Sequence, residues 1–237
     1  MRKALILLPV LMLGGCHAAF GGESHERATR NFQVRAFDKI ALAGSADVEV
    51  RTGSAPSVRA EGDKEAIDRL DVRVENGQLK IGRRQDDGWH FGFVHDRHLR
   101  LIVTVPSLAA ASIAGSGDIH IDKVTGSRFE GSTSGSGDLM LAQMEVGEAR
   151  FSIAGSGDVR AAGKAATASL STAGSGDIRA GGLETGSVKV SVLGSGDVQV
   201  RATQSAEISI MGSGDVHVAG TKNCNVHKAG SGDAQCG

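Results

Sequence analysis

Val190-Ser191-Val192-Leu193-Gly194-Ser195-Gly196-Asp197-Val198-Gln199-Val200 is the stretch from which the fold can be read. Apolar and polar residues alternate on both sides of a fixed Gly-Ser-Gly-Asp. The tetrapeptide begins at Gly115, Gly135, Gly155, Gly174, Gly194, Gly212 and Gly230, at intervals of 20, 20, 19, 20, 18 and 18 residues. A period this regular makes each unit one rung of a stack.

Aligned on the tetrapeptide, the rungs share one pattern. Two and four positions before the first Gly stand Phe151 and Ile153, Leu170 and Thr172, Val190 and Val192, Ile208 and Ile210. One and three positions after the Asp stand Ile119 and Ile121, Leu139 and Leu141, Val198 and Val200, Val216 and Val218. Arg150, Ser152, Lys189, Ser191, Gln199 and His217 fall between them. Period-two alternation around a fixed turn gives two half-buried strands per rung. A second, more variable turn, such as Ala161 to Ala165 or Ala202 to Ser205, closes the unit. About 19 residues per unit is too short for a propeller blade, which takes about 40. The expected fold is therefore all-β, a parallel β-helix-like stack of about 19-residue coils with a dry, narrow interior. The crossover preference predicts a right-handed coil.

The first part of the chain carries a fainter version of the unit. Ile40-Ala-Leu-Ala-Gly44-Ser-Ala-Asp47-Val-Glu-Val50 matches the later rungs, with Ala46 in place of the second Gly. Val72 to Ile81 reads as a hairpin or coil edge around Asn76-Gly77, and Leu99 to Val105 as a strand ending at Pro106. Helix-like composition is confined to Asp63 to Leu70, two turns at most. One domain over 32–237 is expected. Its irregular part, 32–106, would cap the regular rungs of 107–237 and cover their open edge.

Residues 1–15 read as an export signal: Arg2 and Lys3, then an apolar run from Ala4 to Met12 too short to span a bilayer. Leu13-Gly14-Gly15-Cys16 resembles the lipobox of bacterial lipoproteins. That resemblance implies cleavage before Cys16, lipidation of Cys16 and a lipid-anchored linker over 16–31, with the membrane as a partner. His17, in place of an Asp, points to the outer membrane as the destination within the cell envelope. Net charge is −1, with 26 basic and 27 acidic side chains, so nucleic acid is not an expected partner. Export also places Cys224 and Cys236 in an oxidising compartment. Cys224 takes the place of Ala206 in the preceding rung and Cys236 that of Val218, so a disulfide closing the final coil is expected, with two free thiols or a metal pair as the alternative. A loop of that size stabilises by roughly 3 kcal/mol.

The combination of Phe37-Asp-Lys-Ile40 with Gly44-Ser45-Ala46-Asp47, Asn76-Gly-Gln-Leu-Lys-Ile81, Val103-Thr-Val-Pro106 and the serial GSGD units resembles a bacterial family. It is the one called putative auto-transporter adhesin, head GIN domain, here as a lipoprotein member. The resemblance covers about residues 32–236 and implies a parallel β-helix-like fold and an envelope location.

Asp118, Asp138, Asp158, Asp177, Asp197, Asp215 and Asp233 should line one edge of the stack. Neighbouring carboxylates at rung spacing repel by about 0.9 kcal/mol in water, and the row by about 3 kcal/mol once screened. Hydrogen bonds from the N–H groups of each Asp's own Gly-Ser-Gly turn, or from Ser116, Ser136 and their equivalents, are expected to offset this. A row of calcium ions is the alternative, since the unit resembles the GGxGxD motif of RTX-type β-helices. No other cofactor is expected, and no metal site. His95, Asp96 and His98 lack the framing of one. Trp89, Phe91 and Phe93 form either a binding loop or a cover for the first coil. A catalytic reading would need carboxylates converging where the repeat breaks, and these Asp residues are the repeat itself. The expected role is non-catalytic binding, adhesin-like or scaffolding, toward an envelope protein or polysaccharide. An enzyme on envelope polysaccharide and a calcium-dependent module are the alternatives.

Overall fold

The computed structural model describes residues 26–84 and 99–237. The signal over 1–15, Cys16, the Trp89, Phe91 and Phe93 segment, and His95, Asp96 and His98 lie outside the described residues.

The strands run in chain order as β1 (Arg27–Phe32), β2 (Lys39–Gly44), β3 (Asp47–Thr52) and β4 (Ser57–Asp63), followed by the short helix α1 (Lys64–Asp68). Next come β5 (Leu70–Glu75), β6 (Gln78–Arg83), β7 (Arg100–Val105) and β8 (Ala110–Gly115). The long coils are β9 (Ile119–Gly135), β10 (Leu139–Gly155), β11 (Val159–Gly174), β12 (Ile178–Gly194) and β13 (Val198–Gly212). The chain ends in β14 (Val216–Ala219), β15 (Cys224–Gly230) and β16 (Ala234–Cys236). Successive coils pair in parallel with the glycines in register, Gly135 on Gly155 and Gly155 on Gly174. The result is a β-solenoid of about 6 turns.

Every inward residue named in the pattern is buried, from Phe151 and Ile153 to Val216 and Val218. Each full coil differs from the two-strand expectation in one respect. Along β10 the alternation breaks at Ala142–Gln143 and again at Gly147–Glu148. The coil thus bends twice besides the GSG turn and carries three inward runs: Leu139 and Leu141, Met144 and Val146, then Ala149, Phe151 and Ile153. Hydrogen bonding to the neighbouring coil continues around the bends, so no loop interrupts the strand. The shorter 18-residue spacing is absorbed at both of them: the register skips from Ala180/Val200 to Glu184/Arg201, then shifts back by one residue between Thr185/Ala202 and Ser187/Ser205.

The Gly44 unit is a true first coil. Gly44 stacks on Gly115 through the β2–β8 pair, and Val48 on Ile119 through β3–β9. Beyond it, β6 lies parallel to β2 and β5 closes the β5–β6 hairpin, with Asn76 and Gly77 at φ of 51° and 75°. These are the positive angles a two-residue hairpin turn requires. On the adjoining side β7 covers β3, β4 covers β7 and β1 covers β4. Strand β1 begins at Arg27, so the fold reaches into the 16–31 segment expected to be linker. Its sequence, RATRNF, puts Ala28, Arg30 and Phe32 on the half-buried face, so an Arg interrupts the apolar alternation there.

Candidate functional site

The GSGD edge is built from hydrogen bonds between coils. The Gly115 carbonyl accepts from the N–H groups of both Ser136 and Gly137, at 2.9 and 3.1 Å, and the pattern recurs along the stack. The Asp carboxylates do not bond as expected from the sequence. Oδ1 of Asp118 accepts from the N–H of Asp138, in the next coil, at 2.8 Å. Asp138, Asp158, Asp177, Asp197 and Asp215 do the same for Asp158, Asp177, Asp197, Asp215 and Asp233, at 2.8 to 3.1 Å. The turn's own N–H groups are already committed to the preceding coil, which is why each carboxylate reaches across to the next one.

Outside this edge the middle carboxylates are bridged by guanidinium groups. Arg160 donates to Oδ2 of Asp138 at 3.3 Å and of Asp158 at 3.2 Å. Arg179 donates to Oδ2 of Asp158 and, at 2.8 Å, to Asp177. The hydrogen bond to Asp158 raises the Arg179 pKa above its ordinary value. Two guanidiniums between three carboxylates offset much of the repulsion the ladder carries. Among the described residues no group of three or more His, Cys, Asp or Glu is placed to hold a metal ion.

Arg160 and Arg179 also mark one end of a groove of about 1000 Å³. It crosses the coils between the GSGD edge and the first bend. Its floor is Met140, Ala142, Ala162 and Gly182, and His120 and Asp122 lie between the two ends. At the far end Arg51 and Arg100 both bond Glu49, the Arg51 Nε contact being 2.8 Å. The hydrogen bond from Arg51, supported by Arg100, holds the Glu49 carboxyl below the usual carboxylate range, against a smaller opposing effect of desolvation. Asp122 accepts from the Thr52 N–H at 3.0 Å, tying the first coil to the second. The charges lining the groove are thus largely paired, Glu49 with Arg51 and Arg100, and Arg160 and Arg179 with the Asp ladder.

These groove residues were missed in the sequence, though a signal was present. Two positions after the Asp of each unit, from Asp47 to Asp233, the outward residue reads Glu49, His120, Met140, Arg160, Arg179, Gln199, His217 and Gln235. The ladder Asp residues come together as expected, and Cys224 and Cys236 form a disulfide.

Residues 36–222 match the family model described as putative auto-transporter adhesin, head GIN domain. The chain belongs to that family. Its stack is shared by a putative adhesin from Bacteroides fragilis, with TM-score 0.84 at 24% identity over 90% of this chain and 98% of that one. A putative lipid binding protein from Parabacteroides distasonis has TM-score 0.72 at 26% identity, again over 90% and 98%. A putative adhesin from Parabacteroides merdae gives 0.70 at 17%, over 90% and 97%. No curated protein matches the chain. Among the described residues of this family member no helix is long and apolar enough to cross a membrane, which says nothing of β-barrels.

Proposed function

We propose that this chain is a non-catalytic binding module of the cell envelope, tethered to the outer membrane through a lipid on Cys16. Its ligand surface in this reading is the groove running from Glu49 and Arg100 to Arg160 and Arg179. The observation that carries the proposal is the groove itself, about 1000 Å³, in which Met140, Ala142 and Ala162 lie between charged groups at its two ends. A rigid parallel sheet presents such a face with little ordering cost on binding. The occupant is an extended chain lying across the coils, from an envelope protein or a polysaccharide. The Asp ladder is structural in this reading and takes no calcium.

A second reading, lipid binding, is favoured by the apolar floor of Met140, Ala142 and Ala162 together with the 26% identical relative named as lipid binding. One experiment separates the two. Ala142→Trp and Ala162→Trp fill the groove from exposed or half-buried positions without entering the core. Binding of the parent protein and both variants would be measured on purified envelope polysaccharide, on envelope protein fractions and on phospholipid vesicles. Loss of polysaccharide or protein binding in the variants supports the first reading, and loss confined to vesicles selects the second. Unchanged binding on every surface removes the groove from the account.

A further inference from the structure

Two large apolar side chains stand on the surface of the stack, away from the groove. Leu193 is 54% exposed and Met211 57%, and the two are register partners in neighbouring coils. Their column is the outward position just before each GSG turn. Elsewhere it holds Ala43, Ala114, Ser134, Ala154, Ala173 and Ala229. The position points to solvent, and in those six coils a methyl or a hydroxyl suffices.

Two residues back along each strand the outward column reads Ser152, Ser171, Ser191 and Ser209, without charge. Two further back, Arg150, Ser169, Lys189 and Glu207 follow one another in register. These three columns make one face of the stack, and their order is self-complementary. A second copy can lie on this face with its coils in reverse, about a two-fold axis running along the strands between β11 and β12. Strand β12 then faces β11 of the second copy, and β13 faces its β10. Leu193 and Met211 meet Ala173 and Ala154, large against small. Ser191 and Ser209 meet Ser171 and Ser152, hydroxyl against hydroxyl. Glu207 meets Arg150 and Lys189 meets Ser169, so opposite charges face each other and like charges do not. Within one copy Lys189 bonds Glu207 at 3.0 Å and Arg150 bonds Glu148 at 2.8 Å, so the contact joins pairs that are each neutral.

We propose that this face holds two copies of the chain side by side, with Leu193 and Met211 as the anchors. Such an isologous contact closes on itself and leaves no matching surface for further growth. Six strands about 4.8 Å apart and about five residues wide give roughly 500 Å² per copy, near the lower end for a specific interface, so the pair is weak and reversible. The groove lies on the face that follows the turn, and both copies keep it open.

Sedimentation equilibrium of the full chain, in density-matched detergent over a wide concentration range, is the test. The parent protein should rise from one protomer toward two. L193A/M211A gives both positions the small residue of the other coils, so it should fold as they do and pair about tenfold more weakly or worse. R150E and E207R each set like charges across the contact and should weaken pairing, and R150E/E207R should recover it. Circular dichroism confirms that each variant is folded. Ala142→Trp, in the groove, should pair as the parent does, so the fate of the groove reading is scored separately. A parent protein that stays single at every concentration overturns the proposal. So does L193A/M211A pairing as tightly as the parent, or a double reversal that recovers nothing.

Discussion

At the residue scale, the two glycines of each turn serve different needs. The first adopts a φ between 125° and 139° throughout the stack, which side chains rarely tolerate. The second is required by closeness: a Cβ on Gly137 would lie 2.1 Å from the Gly117 carbonyl oxygen. Ala46 fits the same place in the first coil because no GSG turn precedes it, and a Cβ added to Gly44 meets nothing within 4 Å. Gly137→Ala should therefore destabilise by about 1–3 kcal/mol. Ala46→Gly removes only a small buried side chain and should cost about 1 kcal/mol or less. Urea unfolding of the two variants against the parent checks the contrast. A second residue-scale expectation concerns Thr133, 2% exposed, whose hydroxyl oxygen has no hydrogen-bond partner. It lies between Ile113 and Ile153, so Thr133→Val should stabilise by about 1 kcal/mol and raise the melting temperature.

At the scale of the element, the Asp ladder acts as a directional zipper, each carboxylate holding the N–H of the following coil. Asp158 carries the most, with the Asp177 N–H on Oδ1 and Arg160 and Arg179 on Oδ2. Asp158→Ala leaves that N–H without its acceptor and each guanidinium with one carboxylate instead of two, and should cost about 1–3 kcal/mol. Asp158→Asn keeps an acceptor and should cost less, a difference that denaturant titration resolves. Because the Oδ1 atoms are already engaged, thermal unfolding should be the same in excess calcium and in chelator. A drop of several degrees in chelator, restored by calcium, would make the ladder an ion site.

For the whole molecule, acid is the informative variable. Hydrogen bonds from Arg51, Lys80, Arg150 and Lys228 hold Glu49, Glu75, Glu148 and Asp233 respectively below their ordinary values. A carboxyl depressed on folding contributes stability that is fully present above its unfolded pKa, about 4, and lost as pH falls through the folded value. The melting temperature should thus hold from neutral pH down to about 5 and decline below about 4. These groups are solvent-exposed, so the decline should be shallow and weaken with salt. Glu148→Gln should flatten it further, read from melting curves at stepped pH.

Much of the fold was legible in the sequence because a parallel stack repeats its constraints in every coil. Gly-Ser-Gly-Asp at 18 to 20 residue intervals dictated the turn, and the flanking alternation named the inward residues one by one. The cysteine positions announced their pairing, since register in a stack is counted from the turn. What the repeat could not reveal is anything set by a neighbouring coil or by a bend. The Asp carboxylates bond forward to the next Asp, not within their own turn, because which N–H groups remain available depends on stacking distance. The three-sided section arises at Ala142–Gln143 and Gly147–Glu148 and at the matching places in other coils, where Gly recurs but no fixed motif like GSGD marks the bend. The groove needed tertiary structure most of all. Glu49, Arg100 and Arg160 are far apart in the chain, and only the stacking of β7, β3, β9, β10 and β11 brings them onto one face.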